Sequence, residues 1–214
     1  MSKFTADVRI NNYPNHNPKK DVYVESFDKE STINELTKYL VVGTLTPPKG
    51  RGKHNEGYFY CSDKNHMYEY IDSTKHLGLC DKKEEFIKSW NLKIKQEIID
   101  ILRDNNIAFL DVVDEAYAVK GSSKDDDIVC YTLATDYFRK VNYTNPKLKI
   151  VANSLNAYDV LMKIFKELDV KHAVEIIPQQ LRGYKKENRS GKVYKDKKEL
   201  TNNWIAFLNN KKHI

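Results

Sequence analysis

The chain has little of what marks several protein classes. Its 214 residues include 3 cysteines, Cys61, Cys80 and Cys130, an odd number at wide spacings with no paired CxxC. That argues against a disulfide framework, a zinc knuckle or a four-thiolate iron–sulfur cluster and leaves three reduced thiols. Glycine (8) and proline (6) are sparse, and 40% apolar against 31% charged residues is neither a low-complexity nor a disordered composition. No run approaches the roughly 18 consecutive apolar residues of a membrane span. The N-terminal MSKFTADVRINNYP has no apolar block of signal-peptide type, so a cytoplasmic protein is expected. No internal repeat is visible, and the length is that of one ordinary domain built on a real core.

What the chain does have is an excess of base. Lys plus Arg number 36 against 30 Asp plus Glu, a net charge of +6. A clustered excess neutralises phosphates, whereas scattered lysines only solvate a surface. Two clusters stand out: Lys49, Arg51, Lys53 and His54 in one stretch, and Arg182, Lys185, Lys186, Arg189, Lys192, Lys195, Lys197 and Lys198 in another. Fourteen tyrosines add groups that stack and hydrogen-bond.

Residues 1–35 are polar and turn-rich and read as an N-terminal arm; residues 36–214 read as a single α/β domain. Short apolar runs at Tyr39 to Leu45, Ile107 to Val113, Leu148 to Ala152 and Ala173 to Ile177 have the length and β-branched content of strands buried on both faces. Helical patterns separate them. These cover Asn65 to Lys75, a long amphipathic stretch from Lys82 to Asn105 with Phe86, Trp90, Ile94, Ile98 and Ile101 at helical spacing, then Ile128 to Lys140 and Ala157 to Leu168. A last helix runs from Lys197 to Asn209. Strands alternating with helices predict a three-layer α/β/α domain with a central four-stranded parallel sheet and right-handed crossovers. Ligand sites in such sheets lie outside the carboxyl ends of the strands, near the topological switch point. The stretches that follow each strand are therefore the ones to search, and both basic clusters fall among them.

Those stretches resemble the uracil-DNA glycosylase superfamily, in particular its hypoxanthine- or mismatch-specific (mug-like) branch. VVGTLTPP (41–48) followed by GYFYCSDKNHMYEYI (57–71) is similar to that branch's first strand, its proline-ending loop and its Tyr-Tyr to Pro-Arg-Asn stretch. IAFLDVVDEAYAVKGSSKDDDI (107–128) is similar to the family's strand ending in Asp-Val with a Gly-Ser segment behind it, and LKIVANSLNAYDVLMKI (148–164) to a later strand and helix. The pieces stand in the family's order across residues 39–177. Two stretches depart from the pattern: the loop after the last strand reads IPQQLRGYKKENRSGK, and Asp63-Lys64 stands where the family has Pro-Arg.

The resemblance implies a monofunctional DNA glycosylase that needs no cofactor and no metal, acts on DNA (duplex or single-stranded with an extruded base), has no membrane partner and is a monomer. Asn65 matches the family's catalytic asparagine, which positions water or the sugar; an asparagine at a helix start is equally a favourable N-cap. Tyr58 and Tyr60, two apart, share a side in an extended segment, where one can stack on the flipped base or pack as a loop aromatic. Thr44 joins the base-binding groups, as does Asp111, which stands where relatives present an amide or acid to the base edge. An ionised carboxylate only accepts hydrogen bonds and so favours a base offering N–H groups, although the same Asp can cap the next turn.

Lys49, Arg51 and Lys53 in the first loop, and Gln180, Arg182 and Lys185 in the last, have the composition of phosphate clamps or of a solvated basic surface. Leu181 has the place of an apolar wedge in the vacated stack. Gly121 to Asp127 could bind a cation by composition, yet consecutive carboxylates point apart, and the family's loop and cap account for the stretch. The changed loops also leave room for a defence-type glycosylase that excises a bulky modified pyrimidine of phage DNA, or for a catalytically silent nucleic-acid-binding relative.

Overall fold

The computed structural model describes residues 21–25, 32–45, 66–89, 91–119, 128–178 and 196–209. In chain order the elements are β1 (Asp21–Glu25), β2 (Tyr39–Gly43), α1 (Met67–Lys75), α2 (Leu79–Ser89), α3 (Leu92–Asp104), β3 (Ile107–Asp111), β4 (Val113–Val119), β5 (Ile128–Leu133), α4 (Thr135–Phe138), β6 (Lys149–Ala152), α5 (Leu155–Glu167), β7 (Val174–Ile176) and α6 (Lys197–Leu208). The four predicted strands form one parallel sheet in the order β3-β2-β6-β7.

Every residue of β2 and β3 is buried, as continuous apolar runs covered on both faces require. Alternate residues feed two cores. Tyr39, Val41, Ile107, Phe109 and Val151 pack against α1, α2, α3 and α6. Leu40, Val42, Ala108, Leu110 and Ile150 pack against α4 and α5 and against Val113, Ala116 and Tyr131 of a second sheet. The arrangement is the three-layer α/β/α sandwich that the alternation of strands and helices predicts.

The second sheet is the main departure. It is antiparallel, three-stranded and ordered β1-β4-β5. Ile128 to Lys140, expected as one helix, is the strand β5 followed by the short helix α4. Ile128, Val129 and Thr132 are β-branched and such residues lose rotamer freedom in a helix, whereas beside β4 Ile128 pairs with Ala118 and Thr132 with Glu115 in a ladder that begins directly after β3. Asp21 to Glu25, inside the segment read as an arm, pairs with β4 from Asp21↔Val119 to Glu25↔Glu115. From the same N-terminal region, the buried Thr32 hydroxyl accepts the Phe109 backbone N–H at 2.9 Å.

The long helix expected over Lys82 to Asn105 is two helices, α2 and α3. Ser89 donates to the Glu85 carbonyl at 2.8 Å, and Asn91, with extended backbone, accepts from Lys93 N–H at 2.9 Å to cap α3. Such side chains compete with the helix ladder for backbone partners and break it there. Trp90 lies outside the described residues, and Ile94 and Ile98 point into the core as their spacing requires.

Candidate functional site at the carboxyl end of the sheet

β2 is central. The chain passes from it to β3 on one side and later to β6 on the other, so the strand order reverses at the carboxyl ends of β2 and β6. That is the topological switch point, where α/β sheets leave a crevice. Pairing runs on past the strand ends: Val112 N–H donates to Gly43 O at 2.9 Å, Val113 N–H to Thr44 O at 3.0 Å, and Asn153 N–H to Val42 O at 2.9 Å.

At this end of the sheet Thr44 Oγ1 lies 3.3 Å from Ser154 Oγ. Ser154 is the N-cap of α5, its hydroxyl oxygen accepting Ala157 N–H at 3.0 Å. Thr44 is therefore held at the N-terminal end of a 13-residue helix, where the macrodipole is positive. Asp111 is 3% exposed and sits in register with Gly43, which has no side chain to cover it. Alternation along β3, with Ile107 and Phe109 in the first core, puts Asp111 on the α1 side of the sheet, whereas Thr44 turns toward α5. The two predicted base-binding residues thus share one end of the sheet but flank it.

The other predicted site residues, Asn65, Tyr58, Tyr60, Lys49, Arg51, Lys53, Gln180, Leu181, Arg182 and Lys185, lie outside the described residues, as do Gly121 to Asp127. Their flanks are described. The stretch 46–65 leaves after Leu45 and returns at His66, which holds the N-cap position of α1 with no capping bond from its side chain. The stretch 179–195 leaves after Pro178 and returns at Asp196, which caps α6 by accepting Glu199 N–H at 2.8 Å.

The two return points meet. His66 Nδ1 and a Glu69 carboxylate oxygen are 2.8 Å apart, and the second Glu69 oxygen is 3.7 Å from Lys197 Nζ. Glu69 and burial together push the Tyr70 phenol up to about 12, with burial the larger cause. A half-open cleft of about 450 Å³ lies beside this cluster, lined by Glu69, Cys80, Lys83, Glu84, Ile87 and Lys88. Burial, then a hydrogen bond with Asp72, pushes the Cys80 thiol up to about 12, so it stays protonated at neutral pH.

Sequence reasoning passed over Ser154 and Glu69 and read Lys197 only as a member of the second basic cluster. Ser154 had a local signal, a serine between a strand and an apolar helical run. The pairing of Glu69 with Lys197 joins residues far apart in the chain and has no local signal.

No protein-family model matches the chain, and no curated protein sequence matches it. Among solved structures, the chain is similar to the solution NMR structure of a protein from Methanosarcina acetivorans described as a "putative Uracil DNA glycosylase". The TM-score is 0.50 at 16% identity, over 84% of this chain and 93% of that one. A likeness at this identity establishes architecture: the chain has the α/β fold of that protein, with a four-stranded parallel sheet between helices.

Proposed function

We propose that this protein is a monofunctional DNA glycosylase that hydrolyses the N-glycosidic bond of a flipped-out damaged or modified base, of the uracil or hypoxanthine type. The observation that carries the reading is the convergence at the carboxyl end of the sheet. Thr44 and Ser154 stand at the switch point on one face of the sheet, Asp111 is buried on the other face of the same end, and the segments bearing the basic clusters return to the fold within reach of Glu69. The fold likeness and the ordered motif resemblance support it from separate directions.

A glycosylase must take the base out of the duplex, read its edge and stabilise the positive charge that develops on the sugar. In this reading Asn65, one residue before the α1 N-cap, holds the water or the sugar side, and Tyr58 or Tyr60 stacks on the base. Asp111 accepts N–H groups from the base edge, favouring an exocyclic amine or a protonated ring nitrogen. Lys49, Arg51, Lys53, Gln180, Arg182 and Lys185 hold backbone phosphates, and Leu181 fills the vacated stack.

An abasic-site assay tests the reading. Oligonucleotides carrying uracil, hypoxanthine, xanthine, and hydroxymethylated or glucosylated cytosine are incubated with excess protein and then cleaved with alkali. Strand breaks confined to one base class establish activity and substrate together. Breaks only at the bulky cytosines favour a defence role, and DNA binding without breaks on any substrate leaves a silent binding module.

A further inference from the structure

Trp204, fully buried in α6, touches the flanks of both basic segments. Its indole N–H donates to the Pro178 carbonyl at 3.0 Å, and Pro178 is the last described residue before the stretch 179–195. Its ring stacks on Tyr70 with centroids 5.7 Å apart and planes 5° from parallel. Tyr70 lies in the first turn of α1, just beyond the stretch 46–65, and adjoins Glu69, the partner of Lys197. Space filling alone asks only for an apolar ring at this position. A buried carbonyl asks for a donor, and indole is the side chain that supplies both a broad stacking face and a single N–H.

We propose that Trp204 is a positioning residue that fixes Pro178, after which the second basic segment begins, relative to the first turn of α1, before which the first basic segment ends. One side chain holds the carbonyl from which the second segment departs and the helix to which the first returns. Its consequence for catalysis rests on the glycosylase reading; the geometry does not.

Trp204→Phe keeps the ring and removes the N–H. The half-saturating DNA concentration should rise about tenfold with the rate at saturating DNA held within about twofold, the signature of lost binding rather than lost chemistry. Trypsin should cut within residues 179–195 about tenfold faster while the other tryptic sites keep their order, because a buried carbonyl has lost its donor. Phe165→Leu, in the other core, is the matched destabilised control. The proposal is overturned if Phe165→Leu gives the same pattern, or if Trp204→Phe leaves both quantities at wild-type values.

If Trp204→Phe does not fold, Tyr70→Leu removes the stack and leaves the indole N–H in place. It should raise the half-saturating concentration and speed cleavage within 46–65 rather than 179–195, and wild-type behaviour there overturns the proposal equally. Should the wild-type protein neither bind DNA nor release a base, the glycosylase reading falls, and the tryptic pattern alone decides the positioning role.

Discussion

Lys197 Nζ stands 3.7 Å from a Glu69 carboxylate oxygen, so the first residue of the last helix meets the first turn of the first helix. Both side chains are about half exposed, at 62% and 47%, and an exposed pair of this kind adds little stability. Its information is topological: the two basic segments end at one place on the fold.

Ser154→Ala should cost about 1 kcal/mol, the usual effect of losing an N-cap, and should free the Thr44 hydroxyl. Urea unfolding measures the first effect. The second should appear as slower base release in single turnover, and a variant with full activity would remove Ser154 and Thr44 from the site.

Asn65→Ala should slow single-turnover release by about 10²-fold or more, as losing a preorganised polar group does. Asp111→Asn should instead alter which base is preferred, because it exchanges an acceptor pair for one acceptor and one donor. Normal rates with an unchanged base profile in both variants would sink the assignment.

Activity should survive EDTA, and borohydride should trap no covalent protein–DNA adduct, since no lysine occupies a motif position that asks for an amine nucleophile. A trapped adduct points to a lyase mechanism.

Charge reversal at Arg51 or Arg182 should weaken DNA binding regardless of sequence. Each should make the slope of log affinity against log salt shallower by about one unit. Leu181→Ala should slow cleavage in a paired duplex more than in a single strand, where no stack has to be filled. Unchanged affinity and slope in both reversals place DNA elsewhere.

Stability should fall in alkali. Burial raises the Cys80 thiol from 9.0 to about 12 and the Tyr70 phenol from 10.0 to about 12, and it raises Tyr143 as well. A raised folded-state pKa means that the unfolded chain gives up these protons first. The stabilisation is complete below about pH 9 and is lost as pH climbs toward 12. Urea midpoints at pH 8, 9.5 and 10.5 should decline in that order; a flat series refutes the burial of these groups.

The parallel sheet was legible because its strands are buried on both faces and read as plain apolar runs, with β2 and β3 beginning at Tyr39 and Ile107 as expected. The antiparallel sheet was not. Asp21-Val-Tyr-Val-Glu25 alternates as a strand should, yet it stands alone in a polar stretch, and its partner lies beyond Val113. Ile128 to Leu133 continues into α4 without a breaker, so a helical period could be laid across both. The position of Asp111 at the carboxyl end of the sheet followed from its place at a strand end. The Thr44–Ser154 and Glu69–Lys197 pairings came only from the geometry, because they are set by packing rather than by spacing.

β2 carries a burden during synthesis. It is the first strand of its sheet to leave the ribosome, and its neighbours begin only at Ile107 and Lys149. Leu40, Val41 and Val42 therefore wait without pairing partners until synthesis passes Ile107, the midpoint of the 214 residues, and β1 waits in the same way for β4. Pairing over such separations is slow and leaves sticky apolar strands exposed to other nascent chains. The yield of folded protein from a cell should respond more to translation speed and holdase supply than to the equilibrium stability of the finished fold.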